Sequence, residues 1–230
     1  MLFNMIQSIM SGNGVNMSTL ISGIFAMLLI IFLILPLHEC AHGWVALKLG
    51  DNTAKYQGRL TLDPIASMDP MGTLCLLLFG YGWAKPVPVD PRNFKNPKRD
   101  MALTALAGPL SNLIAALVGA LVLRILVLPF HMNLATPVWQ FFSFYIGINI
   151  SLAVFNLLPI PPLDGSKIVG GFLSSQALYN YYKYQNVISL VLIMVLFMGF
   201  LDLPLTFLNN LFYNGINIIA DLPFRLFGFV

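Results

Sequence analysis

The sequence predicts an all-α multi-pass membrane protein with about four to five transmembrane helices and a small β or re-entrant segment on the cytoplasmic side. Two observations carry this. Of the 230 residues, 58% are apolar and only 9% are charged, whereas a soluble domain carries about 25% charged residues. Such a chain cannot cover itself with a hydrated surface, and its mean hydropathy of +0.81 makes lipid its natural solvent. The apolar residues also come in long runs, and about 20 of them in a helix cross the hydrocarbon.

Taken in order, the spans are Leu20–Leu47, Met101–Leu128, Val138–Leu158 and a shorter Val187–Leu201. A fifth candidate, Leu203–Ala220, carries Asn209, Asn210, Asn214 and Asn217. It either spans or lies flat at the interface. Met1–Val15 contains no Lys or Arg, so no cleavable signal is expected there. The whole of 1–230 reads as one membrane domain, with a core of about 20–170 and peripheral C-terminal helices over about 183–230.

Lysine and arginine set the expected orientation. Eight of the twelve fall between Lys48 and Arg99, and none precedes Lys48. The positive-inside rule puts the N-terminus outside and residues 48–100 in the cytoplasm. His131 then falls in an external loop, and Asp202 at the external end of its span. Within the cytoplasmic stretch, Met71–Trp83 is apolar but too short to span, as a re-entrant or interfacial run would be. Lys85-Pro86-Val87-Pro88-Val89 is extended, because its prolines exclude a helix and a central strand and allow an edge strand. No basic, aromatic-interleaved stretch suggests nucleic acid. Cys40 and Cys75 make no disulfide framework.

The first span contains His38-Glu39-Cys40-Ala41-His42. Positions i and i+4 share one helix face, so two imidazoles can grip one zinc ion while the glutamate between them acts as general base. Glu39 is the sole glutamate, and there are three histidines. Random placement would flank it this way with a probability of ~10⁻⁴. With Lys48 at the interface, His42 lies roughly 9 Å deep and His38 roughly 15 Å deep. Ionisable groups at that depth are costly and mark function. The competing account is a pair of histidines satisfied by interhelical hydrogen bonds, which leaves a buried glutamate without a cation.

Catalytic zinc takes three protein ligands. His131 and Asp202 are on the wrong side in the expected orientation. Asp51, Asp63, Asp69, Asp90 and Asp100 sit in turns or near Lys and Arg, where solvated or capping roles are favoured, and Asp221 has no clear placement. Asp164 remains, in Asn156-Leu157-Leu158-Pro159-Ile160-Pro161-Pro162-Leu163-Asp164-Gly165. Three prolines break the helix there, and irregular backbone at membrane depth is tolerated where it is buried or lines a wet cavity. Asp164 is the favoured third ligand; its other reading is an N-cap for the helix that follows.

His38–His42, Gly108-Pro109-Leu110-Ser111-Asn112 and Asn156–Gly165, in that order, resemble the site-2 protease family of intramembrane metalloproteases (peptidase family M50). Gly72-Thr73 and Gly82–Val89 look like its compact bacterial branch, without PDZ or CBS domains. The resemblance covers roughly residues 20–190. It implies three core helices around one Zn²⁺ per chain, held by His38, His42 and Asp164 with Glu39 as base, in a multi-pass protein of the bacterial cell membrane. It also implies that Asn112 lies near the site, holding substrate or stabilising an oxyanion; otherwise Gly108 and Asn112 serve helix packing and an interhelical hydrogen bond. The implied substrate is a transmembrane protein or peptide in the bilayer, cut near the cytoplasmic face. Val87 and Val89 either hold its unwound segment by strand addition or form an ordinary extended loop. Two rival classes are a membrane metal transporter or sensor and a proteolytically inactive substrate-binding relative. Oligomeric state is not set by the sequence.

Overall fold

The computed structural model describes residues 17–79, 84–128 and 136–228. His131, the N-terminal residues before Met17 and Gly80–Trp83 of the expected re-entrant run lie outside them. Helix α1 runs over Met17–Lys48, as Met17–Leu29, a π-helical turn Ile30–Ile34, and Leu35–Lys48. Pro36 accounts for the turn: it has no N–H to donate and its ring crowds the carbonyl four residues back, so the helix widens ahead of it. Short helices α2 (Thr53–Tyr56), α3 (Pro64–Ser67) and α4 (Pro70–Phe79) follow. Ala84–Asp90 has no regular secondary structure, with Asp90 in the extended region, and pairs with no strand among the described residues.

Helix α5 (Pro97–Val127) starts on Pro97, which needs no N–H in a first turn, and Asp100 accepts the Asn96 amide at 3.0 Å. Helix α6 (Thr136–Asn156) follows, then α7 (Asp164–Gly170), α8 (Ser175–Lys183), α9 (Gln185–Phe197) and α10 (Asp202–Leu226). α5 is the hub, packing against α1, α6, α7 and α10. Ala116 and Ala120 let α6 and α10 come close, and Ile146, Ile150, Val154, Leu205 and Ile216 fill the junction.

Among the described residues, three helices are long and apolar enough to span: α1, α5 and α6. The expected fourth span is cut short, since α9 has 13 residues, about 20 Å of rise against a hydrocarbon core of about 30 Å. The fifth is continuous over 25 residues but carries Asp202, Asp221 and Arg225 besides its asparagines.

One placement is overturned. Arg124 near the end of α5 donates to Asp221 at 2.6 Å and to Asn217 at 3.0 Å. α10 therefore runs parallel to α5, and Asp202 lies about 28 Å back along it, level with the turn of α5 around Thr104. That is the end of the bundle holding His42 and Thr104, not the opposite end. The hydropathy of 187–201 suggested a crossing, but a helix as short as α9 need not reverse the chain across the bilayer.

Candidate metal centre

Two stripes meet where α1 faces α5. On α1, His38 and His42 stand one turn apart. On α5, Thr104, Gly108 and Asn112 follow the same four-residue spacing and line one face. The His38 Nδ1–H donates to Asn112 Oδ1 at 3.0 Å, and the His42 Nδ1–H donates to the Thr104 carbonyl at 2.7 Å. A backbone carbonyl only accepts, so His42 carries its proton on Nδ1 and presents a bare Nε2 lone pair when neutral. Asn112 does the same for His38.

The third donor arrives from α7. Residues 156–163 fold back on themselves, with Leu158 N–H donating to Phe155 O at 3.1 Å and Leu163 N–H to Ile160 O at 2.9 Å. Gly165 permits this fold: a Cβ there would lie 2.2 Å from the Leu157 carbonyl oxygen. Asp164 begins α7 without capping it. Its Oδ2 instead lies 3.3 Å from His38 Nε2 and 3.1 Å from His42 Nε2, while Lys167 Nζ holds Oδ1 at 3.2 Å. The two imidazole Nε2 atoms are 3.1 Å apart.

These three atoms form a nearly equilateral triangle, and all three residues are buried. Tetrahedral zinc with bonds of about 2.0–2.1 Å requires ligand atoms about 3.3 Å apart. Three acceptors facing one another in a buried site also need a cation between them. Gly108 keeps that space clear, since a Cβ on it would stand 2.3 Å from His42 Nε2 and 2.5 Å from His38 Nε2. The donor set fits Zn²⁺, the cofactor expected from the sequence.

Glu39 is buried on the same turn of α1, and its Oε2 accepts the Val87 amide at 2.8 Å. Its Oε1 has no partner among the described residues. Val87 is thus tied to the carboxylate, and the Val89 amide makes no hydrogen bond among the described residues. Asn112 is fully buried, and its Nδ2 has no partner among the described residues.

Sequence reasoning missed three parts of this site. The Thr104 carbonyl carries no side-chain signal. Gly108 reads as a packing glycine, and Lys167 has no place in any of the sequence motifs. The four-residue repeat of Thr104, Gly108 and Asn112, matching the histidine spacing, was the available clue.

Residues 129–199 match the family profile described as Peptidase family M50. The chain is 50% identical over 137 residues to "Putative zinc metalloprotease YwhC" of Bacillus subtilis (strain 168), covering 58% of this chain and 62% of that one. It is 35% identical over 150 residues to "Putative zinc metalloprotease Rip2" of Mycobacterium tuberculosis, covering 63% and 56%. It is 29% identical over 175 residues to "Zinc metalloprotease MJ0392" of Methanocaldococcus jannaschii, covering 74% and 41%. Each match spans less than two thirds of the relative. No solved structure gives a significant match. With Asp164 inside the matched stretch and a His-His-Asp triangle sized for zinc, the chain is similar to the zinc metalloproteases of peptidase family M50.

Proposed function

We propose that the chain is an intramembrane zinc metalloprotease that hydrolyses peptide bonds of membrane-spanning substrates near the cytoplasmic face. The reading rests on one observation above all: His38 Nε2, His42 Nε2 and Asp164 Oδ2 lie 3.1–3.3 Å from one another, with Glu39 on the same helix turn as the histidines. His38, His42 and Asp164 would hold one Zn²⁺ per chain. Held there, zinc would supply Lewis acidity toward water and toward a substrate carbonyl.

The protein supplies the rest. Glu39 takes the proton of the attacking water at Oε1 and returns it to the leaving amine nitrogen, while the Val87 amide fixes Oε2. Asn112 Nδ2 is a ready donor to the oxygen on which negative charge develops. A helical substrate hides its carbonyls in hydrogen bonds and must unwind before attack, and the Val89 amide, unbonded among the described residues, is the candidate to hold the extended segment.

Dialysis against a chelator is expected to abolish cleavage of a transmembrane reporter in liposomes, and about one equivalent of Zn²⁺ is expected to restore it. A purified protein that binds zinc at that stoichiometry yet cuts no membrane-spanning peptide would point to the transporter, sensor or inactive-relative classes.

Asn112 is given two separable tasks. Asn112→Asp keeps the acceptor for His38 and loses the free donor, so zinc content should hold while kcat falls about 10²-fold. Asn112→Leu removes both and should also weaken zinc binding by about 10- to 100-fold. Equal zinc affinity in the two variants would refute the link through His38.

A further inference from the structure

Asp51 follows α1 by three residues and sits between Lys48 and Lys55, where an aspartate is ordinarily solvated. It is 0% exposed. No cation pairs with it among the described residues. Its Oδ1 accepts from the Thr53 amide at 3.0 Å, the Thr53 hydroxyl and Asn93 Nδ2 at 2.8 Å, and its Oδ2 accepts from the Asp90 amide at 2.8 Å. Burial opposes its charge, but the hydrogen bonds from Thr53, Asn93 and the Asp90 amide outweigh burial and hold the carboxyl below its ordinary range. Donors surround it, so it is an anchor and not a cation site.

What it anchors is the strip beneath Glu39. Asp90 and Asn93 pin one end of residues 84–93 to the turn that continues α1. The other end is held where the Lys85 amide donates to Ser67 O at 2.9 Å and Arg59 Nη2 donates to Lys85 O at 2.8 Å. Between these pins, among the described residues, the one amide bonded to α1 is that of Val87, given to Glu39. Pro86 and Pro88 have no N–H with which to add fixings of their own.

We propose that Asp51 is a positioning residue for Glu39: by holding Asp90 and Asn93 it sets the strip so that the Val87 amide orients the carboxylate. The proposal rests on the reading of Glu39 as the base. Asp51→Asn turns one acceptor oxygen into a donor facing the Asp90 amide or the Thr53 and Asn93 donors. Val87→Pro deletes the amide that Glu39 accepts.

The test measures kcat, KM, zinc content and thermal unfolding for both variants and their combination, with Arg92→Ala as a control in the same strip. Asp51→Asn and Val87→Pro should each lower kcat by about 10- to 100-fold, with KM within about twofold and about one zinc per chain. The double variant should be no slower than Val87→Pro, because both changes break one linkage. Arg92→Ala should match the wild type. Losses that multiply in the double variant, or an Asp51→Asn loss that tracks loss of zinc or unfolding, would overturn the proposal. Hydrogen exchange of residues 84–93 gives a readout independent of cleavage: protection should fall in Asp51→Asn, and unchanged protection also overturns it. A wild-type protein that cuts no reporter sinks the protease reading itself, and Asp51's role with it.

Discussion

Glu39→Gln is expected to retain zinc at the wild-type stoichiometry and to lose cleavage of a transmembrane reporter by about 10²- to 10⁴-fold in kcat, the usual contribution of a positioned general base. The geometry makes this substitution clean. Glu39 is not one of the three converging donors, so the metal triangle is untouched. Glutamine has the same shape, and its amide oxygen can still accept the Val87 N–H now bound to Oε2. The opposite flip would set NH₂ against N–H. The variant therefore puts an amide NH₂ where Oε1 stood, a group that cannot take a proton from water. Metal analysis and single-turnover cleavage on the same preparation check both halves, and wild-type kcat in this variant would reject Glu39 as the base.

The spacing of His38, Glu39 and His42 was legible because it lies within one helix, where 3.6 residues per turn fix which side chains share a face. Asp164 was reachable because three prolines before it rule out continuation of α6 and so bring a carboxylate to irregular backbone. The rest was not legible where it depends on chain returning from elsewhere. Asp51 reads as a turn residue until residues 90–93 fold over it. Gly108 reads as a packing glycine whether its neighbour is a leucine or a pair of imidazoles. The direction of α10 hangs on Arg124 meeting Asp221, 97 residues away, and hydropathy alone put Asp202 at the wrong end. Composition predicted a membrane bundle correctly, yet the number of crossings depends on where α9 stops, which apolar content does not encode.

Gly108→Ala should cost the protein its metal, with zinc affinity falling about 100-fold and cleavage falling with it. The new Cβ would lie 2.3 Å from His42 Nε2 and 2.5 Å from His38 Nε2, inside the space the metal requires. The rings cannot swing aside cheaply, because the residues one turn either side of Gly108 grip them: Asn112 holds His38 Nδ1 and Thr104 holds His42 Nδ1. Moving α5 away would break both hydrogen bonds and the packing between α1 and α5. Overpacking alone costs about 1–3 kcal/mol, so a fall in stability would not by itself identify the cause. Gly119→Ala separates the two effects. It lies further along the same helix, where a Cβ would meet the Tyr145 ring at 2.7 Å, so it brings a comparable clash without touching a histidine. Gly119→Ala should lose stability and keep its zinc, whereas Gly108→Ala should lose zinc even where it remains folded. Were the two variants to bind zinc equally well, Gly108 would be a packing residue after all and the close approach of α5 to the imidazoles would have no part in making the site.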